Sequence, residues 1–448
     1  MFRRVLIANR GEVALRILRT LREMDVEGVL VCSESDARFF MPHAVKMLCI
    51  GGDDPAHSYL NPYRIINAAV AAGTDAVHPG YGFLSEDATF ARLCLEMGLA
   101  FIGPSPETLR SLGDKASACR LASEVGLPTL LMGVAHGEEE VARMMEMASC
   151  PVVLKPVMGG GGKGIRVVHR LEDVEEAWRQ ARKESATGFR DGGIYVERYL
   201  AGARHLEVQV ARDARGNVIS FPLRECSIQR RHQKWVEESP APSCPEHLEK
   251  ALLDGAEGLA GACGLVGIAT VEFLVRGEEF FFLEVNPRLQ VEHTVTEMLC
   301  GMDLVREQVR IACGEELENI PIPRGHAMES RVYGYPRGAG ACRLDLPGGN
   351  GIRVDAPPAG ALAASARYDG MLAKICSWSP TREMNVRRMQ RALEETAADG
   401  LRTNLPELRS LLESTAFRRG RYDLSTLEKA AGDGPAGPLP DKRSARKA

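Results

Sequence analysis

Short β-rich runs alternate with helical patterns through roughly the first hundred residues: Val5 to Ala8, a helix from Glu12 to Glu23, Gly28 to Cys32, a helix around Ile65 to Ala72, then Ala76 to His78. Strands separated by helices bury both of their faces only in a parallel sheet wrapped by helices, so the chain opens with an α/β unit. The first turn reads Ala8-Asn9-Arg10-Gly11-Glu12 and lacks the G-x-G-x-x-G that lets a backbone approach a pyrophosphate. This unit therefore has the layout of a dinucleotide-binding sheet without its fingerprint, and reads as scaffold.

At 448 residues the chain is too long for one core, and two or three domains of roughly 100 to 200 residues are expected. Hydrophobic residues make up 45% and charged residues 26%, and no apolar run approaches the roughly 20 residues a membrane helix needs. The N-terminus passes from Met1-Phe2-Arg3-Arg4 straight into a strand-like run, which is not the pattern of a secretory signal. The 12 cysteines are scattered, with no C-x-x-C pair. Neither a disulfide framework nor a structural metal is expected, and a reducing cytoplasm fits best. A net charge of −4 and a pI near 6.3 carry none of the basic excess of a nucleic-acid binder.

A second unit begins near Asp114-Lys115. It contains a hairpin-like pair, Val152 to Lys155 and Ile165 to Val168, flanked by helical segments and joined by a glycine-rich loop. Beyond His205, the runs Leu206 to Ala211, Ala269 to Leu274 and Glu279 to Val285 point to a larger, mostly antiparallel sheet. A third unit follows Arg324. The tail from Ala431 to Ala448 is rich in Gly, Pro and Lys/Arg without apolar periodicity, and is expected to be disordered.

The loop itself reads Met158-Gly159-Gly160-Gly161-Gly162-Lys163-Gly164. Unbranched backbone of this kind can bend over a polyanion and aim its N–H groups at phosphate oxygens. It is not a Walker loop, because Lys163 precedes Gly164 instead of Ser or Thr and a strand follows. Lys155, on the apolar strand before it, needs an anionic partner, and a nucleotide phosphate would serve.

From Glu284 to His293 polar and apolar positions alternate, so an extended chain puts Glu284, Asn286, Arg288, Gln290 and Glu292 on one face. Carboxylates, an amide oxygen and a guanidinium together suit magnesium beside a small oxyanion. Glu272 lies in a similar apolar context, which strengthens the metal reading. A third segment, Gln229-Arg230-Arg231-His232-Gln233-Lys234, is dense in donors, although a charge run by itself is usually a solvated loop.

Taken together and in order, these segments resemble the biotin carboxylase family of the ATP-grasp superfamily. The resemblance runs from IANRGEVALRIL at Ile7 to Leu18, through HPGYGFLSE at His78 to Glu86 and GDKASA at Gly113 to Ala118, to DGLRTN at Asp399 to Asn404. It implies an α/β and α+β multidomain fold: a Rossmann-like domain over residues 1–113, an ATP-grasp domain over 114–323 with a mobile lid at about 131–203, and a shortened biotin carboxylase C-terminal domain over 324–430. Residues 431–448 form the tail.

The same resemblance implies the roles of individual residues. Lys115 and Lys155 would contact ATP phosphates, Gly161 and Gly162 would lie in the closing lid, and Glu197 and Leu200 would hold adenine. His205, Gln229 and His232 would line the nucleotide site. Glu272, Glu284 and Asn286 would ligate Mg2+ or Mn2+. Lys234, Arg288, Gln290 and the Val291 backbone would bind bicarbonate. Glu292 would be the base that activates it, and Arg331 would stabilise the enolate-like biotin. Activated bicarbonate then attacks the γ-phosphate, and carboxyphosphate breaks down to carbon dioxide beside biotin.

Three features depart from the family pattern. Val332-Tyr333-Gly334-Tyr335-Pro336-Arg337 replaces an acidic stretch, the segment up to Tyr368-Asp369 is shortened, and Ser425 stands where relatives often place a histidine. No Met-Lys-Met biotinylation sequence occurs, so biotin is expected on a separate biotin carboxyl carrier protein, with a carboxyltransferase as a further partner. Acetyl-CoA, propionyl-CoA and pyruvate systems all remain open as acceptors. A homodimer is also implied, with Arg16 and Arg19 at matching interface positions that otherwise read as exposed helix arginines. The competing readings are another ATP-grasp carboxylate ligase and a noncatalytic ATP-binding homologue.

Overall fold

The computed structural model describes residues 1–41, 43, 46–156, 165–185, 193–317, 322–337, 342–362 and 368–431. Met158 to Gly164, with Gly161 and Gly162, and almost all of the expected tail lie outside the described residues.

The opening alternation folds as its periodicity predicts. Lys46–Cys49, Glu27–Cys32, Arg4–Ile7, Ala76–His78 and Ala100–Phe101 stand side by side in that order, every pair parallel. This is the doubly wound order, reversing between Arg4–Ile7 and Ala76–His78. The helix Gly11–Glu23 packs on it through Val13, Ala14, Ile17, Leu18 and Leu21, spaced three and four apart so that they share one face. Arg16 is not an exposed helix residue. It is buried, with Nη2 2.7 Å from both Glu297 and Asp303, so its charge is spent inside the chain, while Arg19 remains exposed beside Asp355.

Four antiparallel strands, in the order Leu131–Ala135, Ile194–Arg198, Val152–Pro156 and Arg166–Val168, form a small separate sheet covered by the helices Glu138–Ala148 and Val174–Ser185. The expected hairpin is thus present, with Ile194–Arg198 paired to its outer edge.

The largest sheet is antiparallel and carries the site. Its path runs Glu279–Asn286, Gly267–Arg276, Arg204–Arg212, Arg224–Arg230, Gln233–Ser239, His326–Pro336, Met371–Ser379 and Ile352–Asp355. Main-chain bonding continues across Arg324, because Gln233–Ser239 pairs directly with His326–Pro336. The third unit therefore shares a sheet with the second, and its core around Met328, Val332, Ile375 and Met389 also takes in Ile228, Trp235 and Val236. The unusual stretch after Arg331 does not break its strand. Asn404 donates to the Arg331 carbonyl at 3.0 Å and accepts from the Tyr333 N–H at 2.8 Å, clamping one edge of the strand around Val332.

Two local expectations are corrected. The extended, period-two face from Glu284 to Glu292 stops at Asn286, because Pro287 has no N–H to continue the ladder. The chain then turns and enters the helix His293–Cys300. The donor-rich run Gln229 to Lys234 is likewise not a loop but the end of a hairpin. Only Arg231 and His232 turn, both with positive φ (51° and 63°), as a two-residue connection between twisted strands requires.

Candidate active site

Buried strand carboxylates build the site. Glu207, Glu272 and Glu284 are register neighbours across three strands, Glu207 opposite Glu272 and Glu272 opposite Glu284. Glu207 and Glu272 are buried among apolar neighbours, at a cost that only charge pairing or hydrogen bonding offsets, while Glu284 keeps its carboxylate exposed.

Lys234 meets that need. Its Nζ lies 2.7 Å from Glu207 Oε2, 3.1 Å from Glu272 Oε1 and 2.6 Å from Glu292 Oε1. Burial opposes its charge, yet the three carboxylates hold its pKa well above the ordinary lysine value. Glu292 is fully buried at the N-cap of His293–Cys300, but its side chain makes no cap bond. Its other oxygen, Oε2, accepts from Arg331 Nη2 at 2.9 Å. Burial would raise this carboxyl; Lys234, Arg331 and Arg224 pull it well below the usual range, so it stands ionised at neutral pH.

Arg331 also contacts Glu237 and lies 3.5 Å from Glu329. Five buried carboxylates, Glu207, Glu237, Glu272, Glu292 and Glu329, thus converge on Arg224, Lys234 and Arg331. Burial lifts Glu237 above the normal carboxylate range despite Arg331, and lifts Glu329 despite Lys374 and Arg331, while Lys234 and His205 outweigh burial at Glu272 and lower it.

His205 Nε2 is 2.8 Å from Glu272 Oε2, and its Nδ1 is 2.8 Å from Gln229 Nε2. Glu272 Oε1 accepts from both Asn286 and Gln290 at 2.9 Å. Arg288 Nη2 donates to Asn286 Oδ1 at 2.9 Å, and its Nε pairs with Glu86 of the first unit. The turn after Pro287 therefore gathers Arg288, Gln290 and Glu292 on the same side as Asn286, which the strand period alone would not have required. Lys374 Nζ holds the Val291 carbonyl at 2.9 Å.

A second cluster sits where the small sheet meets the helix Lys115–Glu124. Glu197 Oε1 is 2.7 Å from Lys115 Nζ and Oε2 is 2.6 Å from Lys155 Nζ. Both oxygens of Glu197 are thus committed to lysines. Lys155 finds the anionic partner its apolar strand demands, and in this structure that partner is a side chain. Lys115 opens a helix capped by Asp114, and its Nζ also donates to the Leu283 carbonyl at 2.9 Å. Leu200 follows the end of Ile194–Arg198, and His232 is exposed at the hairpin tip.

Glu207, Arg224, Glu237 and Glu329 were not singled out from the sequence. Glu207 had a signal, since His205, Glu207 and Gln209 share one face of Arg204–Arg212. Arg224, with Nε 2.6 Å from Glu207 and no exposed surface, had none.

Glu272, Glu284 and Asn286 offer two carboxylates and an amide oxygen, hard donors without sulfur that fit magnesium or manganese. Glu284 is the exposed member, open to such an ion.

Family models match most of the chain: "Biotin carboxylase, N-terminal domain" over residues 1–109, "Carbamoyl-phosphate synthase L chain, ATP binding domain" over 114–320 and "Biotin carboxylase C-terminal domain" over 336–429. The chain is 41% identical to the biotin carboxylase of Haemophilus influenzae, covering 96% of this chain and 99% of that one. Its fold superposes with a TM-score of 0.91 on a biotin carboxylase from Campylobacter jejuni in complex with a β,γ-ATP compound, at 37% identity over 96% of this chain and 99% of the other. A TM-score of 0.91 is also found with the biotin carboxylase domain dimer of Hydrogenobacter thermophilus 2-oxoglutarate carboxylase, solved with MgADP, ADP and bicarbonate, at 35% identity over 96% and 98% of the two chains.

Proposed function

The chain belongs to the biotin carboxylase family, and we propose that it carboxylates biotin with bicarbonate and ATP, the biotin being carried by a separate carrier protein. The carrying observation is Glu292 held between Lys234 and Arg331. It supports a reading in which an ionised base stands between a cation suited to a small oxyanion and a cation suited to the charge that develops on biotin.

In this reading Lys115 and Lys155 exchange Glu197 for ATP phosphates, and Gly161 and Gly162 cover them from the lid. Leu200 and the end of the strand that carries Glu197 take adenine, while His205, Gln229 and His232 line the nucleotide site. Lys234, Arg288, Gln290 and the Val291 N–H hold bicarbonate. Glu292 withdraws its proton, because bicarbonate is a weak nucleophile until it is deprotonated. The activated oxygen attacks the γ-phosphorus and ADP leaves. Carboxyphosphate then gives carbon dioxide and phosphate, and phosphate takes the biotin N–H proton. Arg331 stabilises the resulting enolate-like ring, which closes on carbon dioxide. Glu272, Glu284 and Asn286 would hold magnesium or manganese, which when bound draws charge from the phosphates during transfer.

We place the protein in the cytoplasm as a homodimer that works with a carboxyltransferase; acetyl-CoA, propionyl-CoA and pyruvate all fit as final acceptors. Among the described residues no helix is long and apolar enough to cross a membrane. ADP release with Mg-ATP, with and without bicarbonate and free biotin, tests the reading. Bicarbonate-dependent release stimulated by biotin is expected. Turnover with another carboxylate in place of bicarbonate would identify a different ATP-grasp ligase, and nucleotide binding without turnover even with carrier protein present would identify a noncatalytic homologue.

A further inference from the structure

Two buried side chains without a role in the scheme above grip the oxyanion turn by its main chain. His293 Nδ1 lies 2.7 Å from the Gln290 carbonyl oxygen, and Lys374 Nζ lies 2.9 Å from the Val291 carbonyl oxygen. Neither side chain has any exposed surface.

A carbonyl oxygen only accepts, so the His293 proton must sit on Nδ1. Among the described residues Nε2 has no hydrogen-bond partner, Glu297 Oε2 standing 3.8 Å away, which identifies a neutral imidazole with one proton aimed at Gln290. Burial, reinforced by the charges of Lys374, Arg16 and Arg353, holds this ring well below the ordinary histidine pKa.

Lys374 rises from the strand Met371–Ser379. Its counter-ions stand further off than the carbonyl, Glu12 at 3.4 Å and Asp355 at 3.9 Å. Burying an ammonium costs several kcal/mol, and its shortest contact is with the main chain of the turn. Glu12 comes from the first helix of the N-terminal unit, so the contact ties three parts of the chain to the turn.

The peptide unit is planar, so the Gln290 carbonyl and the Val291 N–H move as one plate, and the Val291 carbonyl and the Glu292 N–H as the next. A donor fixed on each carbonyl stops both plates from rotating and increases the polarity of the N–H at the other end. We propose that His293 and Lys374 are positioning residues for bicarbonate: by holding two consecutive carbonyls they fix the Val291 N–H and the Glu292 backbone in the orientation that receives the anion. The inference rests on the bicarbonate reading of the turn.

Steady-state ADP release, with bicarbonate and ATP varied separately, tests it in wild type, His293→Leu, His293→Asn and Lys374→Met. The asparagine amide carries an N–H where the imidazole Nδ1 stood. Expected is a bicarbonate KM raised about tenfold in His293→Leu and Lys374→Met, the loss of one charge-assisted or buried hydrogen bond, with the ATP KM within about twofold of wild type and His293→Asn restoring most of the defect. Where the leucine variant does not fold, His293→Gln, whose amide is one bond too far out, replaces it in the comparison with asparagine. An unchanged bicarbonate KM, a parallel rise in the ATP KM, or no difference between the asparagine variant and its leucine or glutamine counterpart overturns the inference alone. A wild type without bicarbonate dependence overturns the functional reading and the inference with it.

Discussion

Lys234 and Arg331 grip opposite oxygens of one carboxylate: Lys234 Nζ lies 2.6 Å from Glu292 Oε1 and Arg331 Nη2 lies 2.9 Å from Oε2. The two cations come from neighbouring strands, Gln233–Ser239 and His326–Pro336, so sheet pairing sets the gap into which Glu292 fits. Glu292→Gln keeps the shape and removes the base. Bicarbonate-dependent ADP release is expected to fall by about 10² to 10⁴, the range of a lost general base, while nucleotide affinity measured by titration calorimetry stays near wild type.

Arg331→Ala separates the two halves of the reaction. The biotin-stimulated part of ADP release should fall by about 10² to 10³, as for a lost oxyanion donor, and the biotin-independent part should fall less. Equal losses in both would place Arg331 in bicarbonate activation instead of biotin stabilisation.

Glu197 pairs with both Lys115 and Lys155, and so competes with phosphate for both. Glu197→Gln is expected to tighten ADP binding by about tenfold, or ~1.4 kcal/mol, and to leave adenosine binding unchanged. Calorimetric titration with each ligand checks this; a loss for both would mean that the carboxylate itself holds adenine.

Acid stability should report on Glu238. Burial would raise its pKa, but His326, with Nε2 2.9 Å away, and hydrogen bonds from Arg382 at 2.7 and 2.8 Å bring it down to about 2. A carboxyl depressed in the folded state contributes stability that is complete above its unfolded value of about 4.3 and is lost as pH falls toward the folded value. Urea midpoints of wild type and Glu238→Gln should therefore differ by a constant amount above about pH 5 and converge as pH falls below it.

Much of the fold was legible in local patterns. The parallel sheet followed from strand and helix alternation, and the strands Arg204–Arg212, Gly267–Arg276 and Glu279–Asn286 from their apolar runs. These signals are local because a strand's faces repeat every two residues and a helix's every 3.6. Pattern reading overran at Pro287, where period two appeared to continue after the ladder had lost its donor. It also under-read Gln229 to Lys234, whose polar residues resemble a loop until a partner strand is present.

The residue types of the site and their spacing were determined by the sequence alone, as were the glycine loop and the ordered series of motifs that marks the family. Which charge compensates which was decided only in three dimensions. Lys234 is 58 residues from Glu292, and Arg331 is 39 residues from it. Arg224, Glu237 and Glu329 look like ordinary polar strand positions until the large sheet brings them together. The reason is physical. Apolar periodicity records how each segment meets its nearest layer, whereas the ionisation of a buried group depends on every charge within a few ångströms in a medium of low polarity, and only the folded chain determines which charges those are.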